Sequence, residues 1–245
     1  MASLTIVECF GVPGVGKTHV ASRICQILEA EGISTSDLGI LIGKASAFSR
    51  VLRKSSLVCR STAKHPAALK IVFRIVKLHR PRKLRHWLKL MVNWLYVRAL
   101  IADNSPSAAV RVLDQGIGQA LWSTRFYGQE APNREILIGA LTEFLGTLPT
   151  IALLIVCIGA PEKVVRERLK QRQDGRSPLD KNEDLWERAS QETSATKCVL
   201  EYWTCNSSRV SLTDYNNHRS DEALDHKLLS HALESWIAAR VSHVG

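Results

Sequence analysis

The eight residues GVPGVGKT, 11–18, carry the most specific chemistry legible in this chain. They fit the pattern G-x-x-x-x-G-K-[ST], in which backbone N–H groups must come close to phosphate oxygens and side chains at the glycine positions would obstruct them. A helix that follows such a loop also directs the partial positive charge of its N-terminus at the anion. Lys17 is then the residue to reach the β- and γ-phosphates, and the hydroxyl of Thr18 the one to ligate magnesium. Gly11, Val12, Pro13, Gly14, Val15 and Gly16, with His19 just beyond, complete the expected contacts to a triphosphate. A chance glycine-rich turn is the competing reading, and a strand before the loop with a helix after it decides against that reading.

Phosphoryl transfer needs positioning and charge neutralisation more than covalent chemistry, so one carboxylate to orient an acceptor is enough. Asp37 and Asp114 are the candidates, because they stand near the ends of the second and third expected strands and ligand sites of parallel sheets lie at carboxyl ends of strands. Asp114 is expected to be linked to magnesium through water and Asp37 to face the acceptor, although Asp37 reads equally well as a turn or helix cap. Glu8 lies inside the first apolar run, to be buried or directed along a sheet, and is set aside. Arg168, Arg172 and Arg176 recur at four-residue spacing, so the first two share a helix face while the helix lasts. Their planar guanidinium forks suit charge spread over phosphoryl oxygens. A solvated helix with pairs such as Glu162 to Arg166 would give the same spacing.

The elements that must position these residues can be read from hydrophobic periodicity. LTIVECF (Leu4–Phe10) predicts a strand, and THVASRICQILEAEG a helix stopped by Gly32. Further strands are predicted over residues 33–38, 107–116, 149–160 and 208–214, with a closing amphipathic helix over 221–241. The run PTIALLIVCIGA is the strongest buried-strand signal. Strands alternating with helices predict an α/β chain with a five-stranded parallel sheet covered on both faces, in the order 2-3-1-4-5. A length of 245 residues with 45% hydrophobic content suits one domain with an insertion over 44–106 and a lid-like segment over 161–182.

These features narrow the class of P-loop protein. The best apolar strand ends without the Asp-Glu of an AAA-type machine, and GTPase base-reading signatures are missing. The segment VLDQGIGQALWSTRFYGQ, with Asp114 ending a strand, and the segment APEKVVRERLKQRQDGRSPLD resemble the nucleoside- and nucleotide-kinase superfamily, its thymidylate-kinase-like members in particular. That resemblance implies a helix lining the acceptor pocket after Asp114. It also implies a lid delivering Arg168, Arg172 and Arg176 over the phosphates, and places Thr213, Asp214 and Tyr215 near the adenine. The implied activity is ATP- and magnesium-dependent transfer of the γ-phosphoryl group to a small acceptor: a nucleoside or nucleotide, a sugar or a lipid-linked molecule. Gln115 stands where the family carries arginine, and the family's acceptor motif after strand two is absent, so the acceptor is not transferred. A hydrolysing P-loop switch docked on an anionic partner is the rival reading.

Net charge is +10, but its distribution is uneven. Residues 44–100 hold fifteen Lys and Arg and no acid, leaving eighteen basic and twenty-three acidic residues elsewhere. An ordinary solvated face mixes both signs, so this segment implies an anionic partner. Two basic amphipathic helices joined at Pro81 are predicted, with Leu69, Val72, Phe73 and Val76 apolar on the first and Leu84, Trp87, Leu88, Met91, Trp94 and Leu95 on the second. They could pack into the body, lie on an anionic membrane surface with Trp87 and Trp94 near the headgroups, or form a pocket for an acidic acceptor. Nucleic acid is disfavoured because no recognition module accompanies the charge. A homodimer is also compatible with the sequence. Six scattered cysteines indicate neither zinc nor disulfides, and the expected location is cytoplasmic, at most peripheral to a membrane.

Overall fold

The computed structural model describes residues 4–37, 47–102, 109–149, 151–171, 179, 185–217, 229–231 and 233–236, without the side chains of residues 37 and 47–53. Strand β1 (Leu4–Phe10) is central, with β3 (Val110–Leu113) on one side and β4 (Ile151–Gly159) on the other. Strand β2 (Thr35–Asp37) flanks β3 and β5 (Val210–Asn216) flanks β4. All pairings are parallel, and Thr5 lies opposite both Val110 and Ala152. The chain is therefore α/β, with a five-stranded sheet in the order β2-β3-β1-β4-β5.

Covered strands explain the apolar runs. Every residue from Ile151 to Ile158 is buried, because helices lie on both faces of β4 and no alternation is required. Strand boundaries differ from the periodicity reading. β2 is shorter than 33–38, and Leu38 lies outside the described residues. β3 stops at Leu113, which leaves Asp114 as the first residue beyond the strand. β5 runs past Asp214 to Asn216, since β4 continues to Gly159 and offers it a partner.

Helix α1 (Lys17–Ala30) buries Val20, Ala21, Ile24, Ile27 and Leu28, the i, i+1, i+4, i+7, i+8 stripe of a helix laid on a sheet. Between β2 and β3 come α2 (Ala47–Lys64), α3 (Pro66–Leu78) and α4 (Leu84–Ala102). The periodicity reading contained the last two and not α2, whose Leu57 and Val58 pack against Tyr96 and Leu100 of α4. The inner faces of α3 and α4 join the main core through Val72, Ile75, Val76, Leu90, Trp94 and Ile101. Their apolar stripes split, however: Leu69, Phe73, Leu84 and Leu88 are exposed, while Trp87 and Met91 are half-buried. On α4 the residues Leu84, Leu88 and Val92 follow one line and Leu90, Trp94, Val97 and Ile101 another, and only the second meets the core.

Two arginines are part of this core. Arg98 of α4 donates to the Ser61 hydroxyl at 2.5 Å and to the Thr147 carbonyl at 2.9 Å, and burial lowers its pKa. Arg111 of β3 donates to the carbonyls of Leu100 and Ile101, occupying acceptors that the last turn of α4 leaves open. Beyond β3, α5 (Ile117–Tyr127) and α6 (Arg134–Gly146) follow, the latter capped by the Asn133 side chain, which accepts from the N–H groups of Glu135 and Ile136. Helix α7 (Glu162–Lys170) follows β4, and α8 (Leu185–Cys205) runs antiparallel to α5 before entering β5. Of the expected closing helix, residues 229–231 and 233–236 are helical and bury Leu229 and Leu233. Its remainder lies outside the described residues. Among the described residues no helix is long and apolar enough to cross a membrane.

Candidate functional site

The loop from Gly11 to Gly16 joins the carboxyl end of β1 to α1, the strand-loop-helix context that its sequence pattern requires. Gly14 and Gly16 adopt φ of 93° and 102°, which L side chains avoid, and a Cβ on Gly11 would lie 2.6 Å from the Ile158 carbonyl. The Lys17 ammonium donates to the carbonyls of Gly11 at 2.7 Å and Val12 at 3.1 Å, which holds it against the mouth of the loop. Val12 and Pro13 are half-buried, Val15 is buried, and Thr18 and His19 are exposed at the start of α1.

Three neighbouring elements bring polar groups to this loop. Just beyond β3, Asp114 accepts a hydrogen bond from the Thr18 hydroxyl at 3.1 Å, which unites the two residues expected to share a metal. From α7, Arg168 donates to the Val15 carbonyl at 2.9 Å. The same helix packs Val165 and Leu169 so closely on Gly14 that a Cβ there would lie 2.9 Å from the Leu169 side chain. Arg166, two residues earlier, pairs with Glu162 at 2.7 Å and stacks over Trp186, so the solvated pair and the inward arginine occupy different faces of one helix. After β5, Asn217 donates its side-chain amide to the Val15 carbonyl at 2.8 Å. Asn217 escaped the sequence reading because an asparagine after a strand looks like any turn residue.

The other expected residues fall apart from this cluster or outside the described residues. The backbone of Asp37 ends β2 opposite Val112, at the carboxyl edge of the sheet and one strand from the Asp114 strand. Asp214 lies within β5 and is ion-paired at 2.7 Å with Lys197 of α8. Tyr215 is buried, and Thr213 precedes the paired aspartate in the same strand. Arg172 and Arg176 lie outside the described residues.

Glu8 has a larger role than its position in an apolar strand suggested. It is fully buried, and its Oε1 accepts from the N–H groups of Gly116 and Gln119 at 3.1 Å each, at the start of α5. A Cβ on Gly116 would lie 2.5 Å from this carboxyl group, so glycine there lets β1 and α5 meet. Burial pushes the Glu8 carboxyl up to about 7, against the lowering effect of those N–H groups. The signal was available, because an acid in an otherwise apolar strand must find donors. Which donors it finds depends on a residue more than a hundred positions away. Burial and the nearby Asp114 and Glu8 also push the Cys9 thiol well up, and burial with Asp214 pushes Cys157 up to about 12, so neither suits nucleophilic work at neutral pH.

A groove of about 400 Å³ opens where the C-terminal end of α5 meets the N-terminal end of α8, lined by Arg125, Gly128, Gln129, Glu130, Arg188 and Glu192. Arg125 pairs with Glu192 at 3.0 Å, and Arg188 donates to the Gly128 carbonyl. The groove lies three helical turns, roughly 16 Å, along α5 from Gly116 and is distinct from the glycine loop. Among the described residues no group of three or more His, Cys, Asp or Glu side chains is arranged to hold a metal. No known protein-family model matches the chain, and no curated protein matches it either.

Proposed function

We propose that this chain is a P-loop kinase of the thymidylate-kinase-like superfamily, which binds ATP and magnesium at residues 11–18 and transfers the γ-phosphoryl group to a small acceptor. The observation that carries the reading is the convergence of Lys17 and Thr18 of α1, Asp114 just beyond β3 and Arg168 of α7 on one glycine loop, at the carboxyl edge of a 2-3-1-4-5 parallel sheet. Magnesium fits the donor set: a hydroxyl and a carboxylate oxygen stand 3.1 Å apart, and this hard cation takes one or two protein oxygens with water and phosphate oxygens. When bound it would offset charge on the β- and γ-phosphates.

Each residue then has a definable task. The loop N–H groups and the start of α1 bind phosphate, and Lys17 is already held where its ammonium can exchange the Gly11 and Val12 carbonyls for phosphate oxygens. Arg168 braces the loop through Val15 and brings the base of the lid segment to it, from which Arg172 and Arg176 would neutralise the moving phosphoryl group. Asp114 holds the Thr18 hydroxyl in place, and Asp37, at the neighbouring strand end, would orient the acceptor hydroxyl. Asp214, committed to Lys197, would act on the adenine side only through that pair.

Labelled ATP supplied with an acceptor panel tests this reading. A kinase yields a labelled organic product, and Lys17→Ala should lower its formation by about 100-fold or more while the unfolding transition is unchanged. Release of free phosphate alone, with no acceptor labelled, would support the hydrolysing switch, and turnover that survives Lys17→Ala would remove both.

A further inference from the structure

We propose that the outer face of α3 and α4 is a docking surface for an anionic lipid bilayer, independent of the phosphoryl-transfer reading. Six large apolar side chains are left exposed among the described residues, and five of them, Leu69, Phe73, Leu84, Leu88 and Val92, belong to these two helices. Leu84 is 76% exposed and Leu88 60%, values that nothing in the packing of the described residues accounts for. Leu69 and Phe73 stand one turn apart on α3, and Leu84, Leu88 and Val92 mark three successive turns of α4. The helices lie side by side, with the Phe73 and Trp87 rings 5.0 Å apart, so the two rows form one apolar ridge with a half-buried tryptophan in it.

The charge beside the ridge identifies what covers it. Arg74, Arg80 and Lys89 are engaged with Glu143, Glu130 and Tyr127. Lys70, Lys77, Arg82, Lys83 and Arg85 are exposed, and their side chains make no hydrogen bond or ion pair among the described residues. Leu69 and Leu84 are each followed directly by one of these cations, Lys70 and Arg85, which puts it about a quarter turn from the ridge, at its flank. An apolar strip flanked by unpaired lysines and arginines, with tryptophan at the margin, matches an interface with acyl chains at its centre and anionic headgroups at its edge. A second copy meeting this face would oppose five unpaired cations with their equals. A nucleic acid would satisfy the cations and leave the ridge in water.

Vesicle sedimentation of the full chain tests the proposal, with phosphatidylcholine vesicles alone or mixed with phosphatidylserine, each at low and at high salt. The chain should sediment with the mixed vesicles and not with the neutral ones, and high salt should weaken the binding. Leu84→Asn with Leu88→Asn should lower affinity tenfold or more, and Arg82→Gln with Lys83→Gln and Arg85→Gln should lower it and flatten its salt dependence. Because all five side chains are exposed, both variants should keep the unfolding midpoint of the parent. Absence of binding to mixed vesicles at low salt overturns the proposal. So does binding that the asparagine pair leaves unchanged, which would make the face a general polyanion site. A concentration-dependent dimer that the same pair abolishes would assign the ridge to a second copy and overturn it as well.

Discussion

At the scale of single residues, the buried carboxyl of Glu8 couples the stability of the molecule to pH. Its folded pKa of about 7 lies above the model-compound value of 4.5. Below pH 4.5 the group is protonated whether the chain is folded or not, and its contribution to stability is fully present. As pH rises from 4.5 through about 7 the unfolded chain ionises first, so stability is lost over that window. A shift of this size corresponds to roughly 3 kcal/mol, taken as an order of magnitude. Glu8→Gln keeps the shape and cannot ionise, so urea midpoints of that variant between pH 4.5 and 8 should fall less steeply than those of the parent. Equal slopes would mean that Glu8 is ionised and satisfied at all these values. Lys17 acts at the same scale, and its replacement reports on chemistry because its exchangeable partners are loop carbonyls.

At the scale of elements, the basic segment divides by role rather than by composition. Arg98 belongs to the same acid-free stretch as Arg85, yet it is 1% exposed and ties α4 to α2 and to the turn after α6. Arg98→Ala should leave a cavity and strand the Thr147 carbonyl, costing roughly 2–4 kcal/mol in urea unfolding. Arg98→Lys should recover less than half of that, because one ammonium cannot reach Ser61 and Thr147 together as a planar fork does. Neutralising Arg85 should have almost no effect on the same measurement, since its value lies in association and not in folding. A sequence reading that treats all fifteen cations as one patch cannot separate these cases, because burial is set by which helix face meets a neighbour.

At the scale of the whole molecule, the insertion between β2 and β3 is structural on its inner side. Val72, Ile75, Val76, Leu90, Trp94 and Ile101 lie in the same core as β1 and α5, and Trp94 donates to the Thr124 hydroxyl of α5 at 2.8 Å. Replacing residues 47–102 with a short glycine-serine linker should therefore abolish the cooperative thermal transition instead of giving a smaller folded α/β body. A sharp transition in that deletion variant would show the insertion to be an appended module. The exposed outer side remains free for association, which divides one segment between stability and docking.

Local chemistry and periodicity were sufficient for much of this. The glycine loop, the β1-α1 context, the long β4 run and the Asp114 strand were legible because each depends on residues close in the chain. So was the α/β class with its parallel sheet. The approach of Asp114 to Thr18, of Arg168 and Asn217 to Val15, and of Glu8 to Gly116 joins residues roughly a hundred or more positions apart. No periodicity encodes such pairings, because they follow from strand order and helix packing. The same holds for α3 and α4: sequence alone showed that they are amphipathic and basic, and only the tertiary structure decided which apolar line is buried and which is left for a partner. Hydrophobicity specifies that a face must be covered, whereas packing geometry determines which face the rest of the chain can reach.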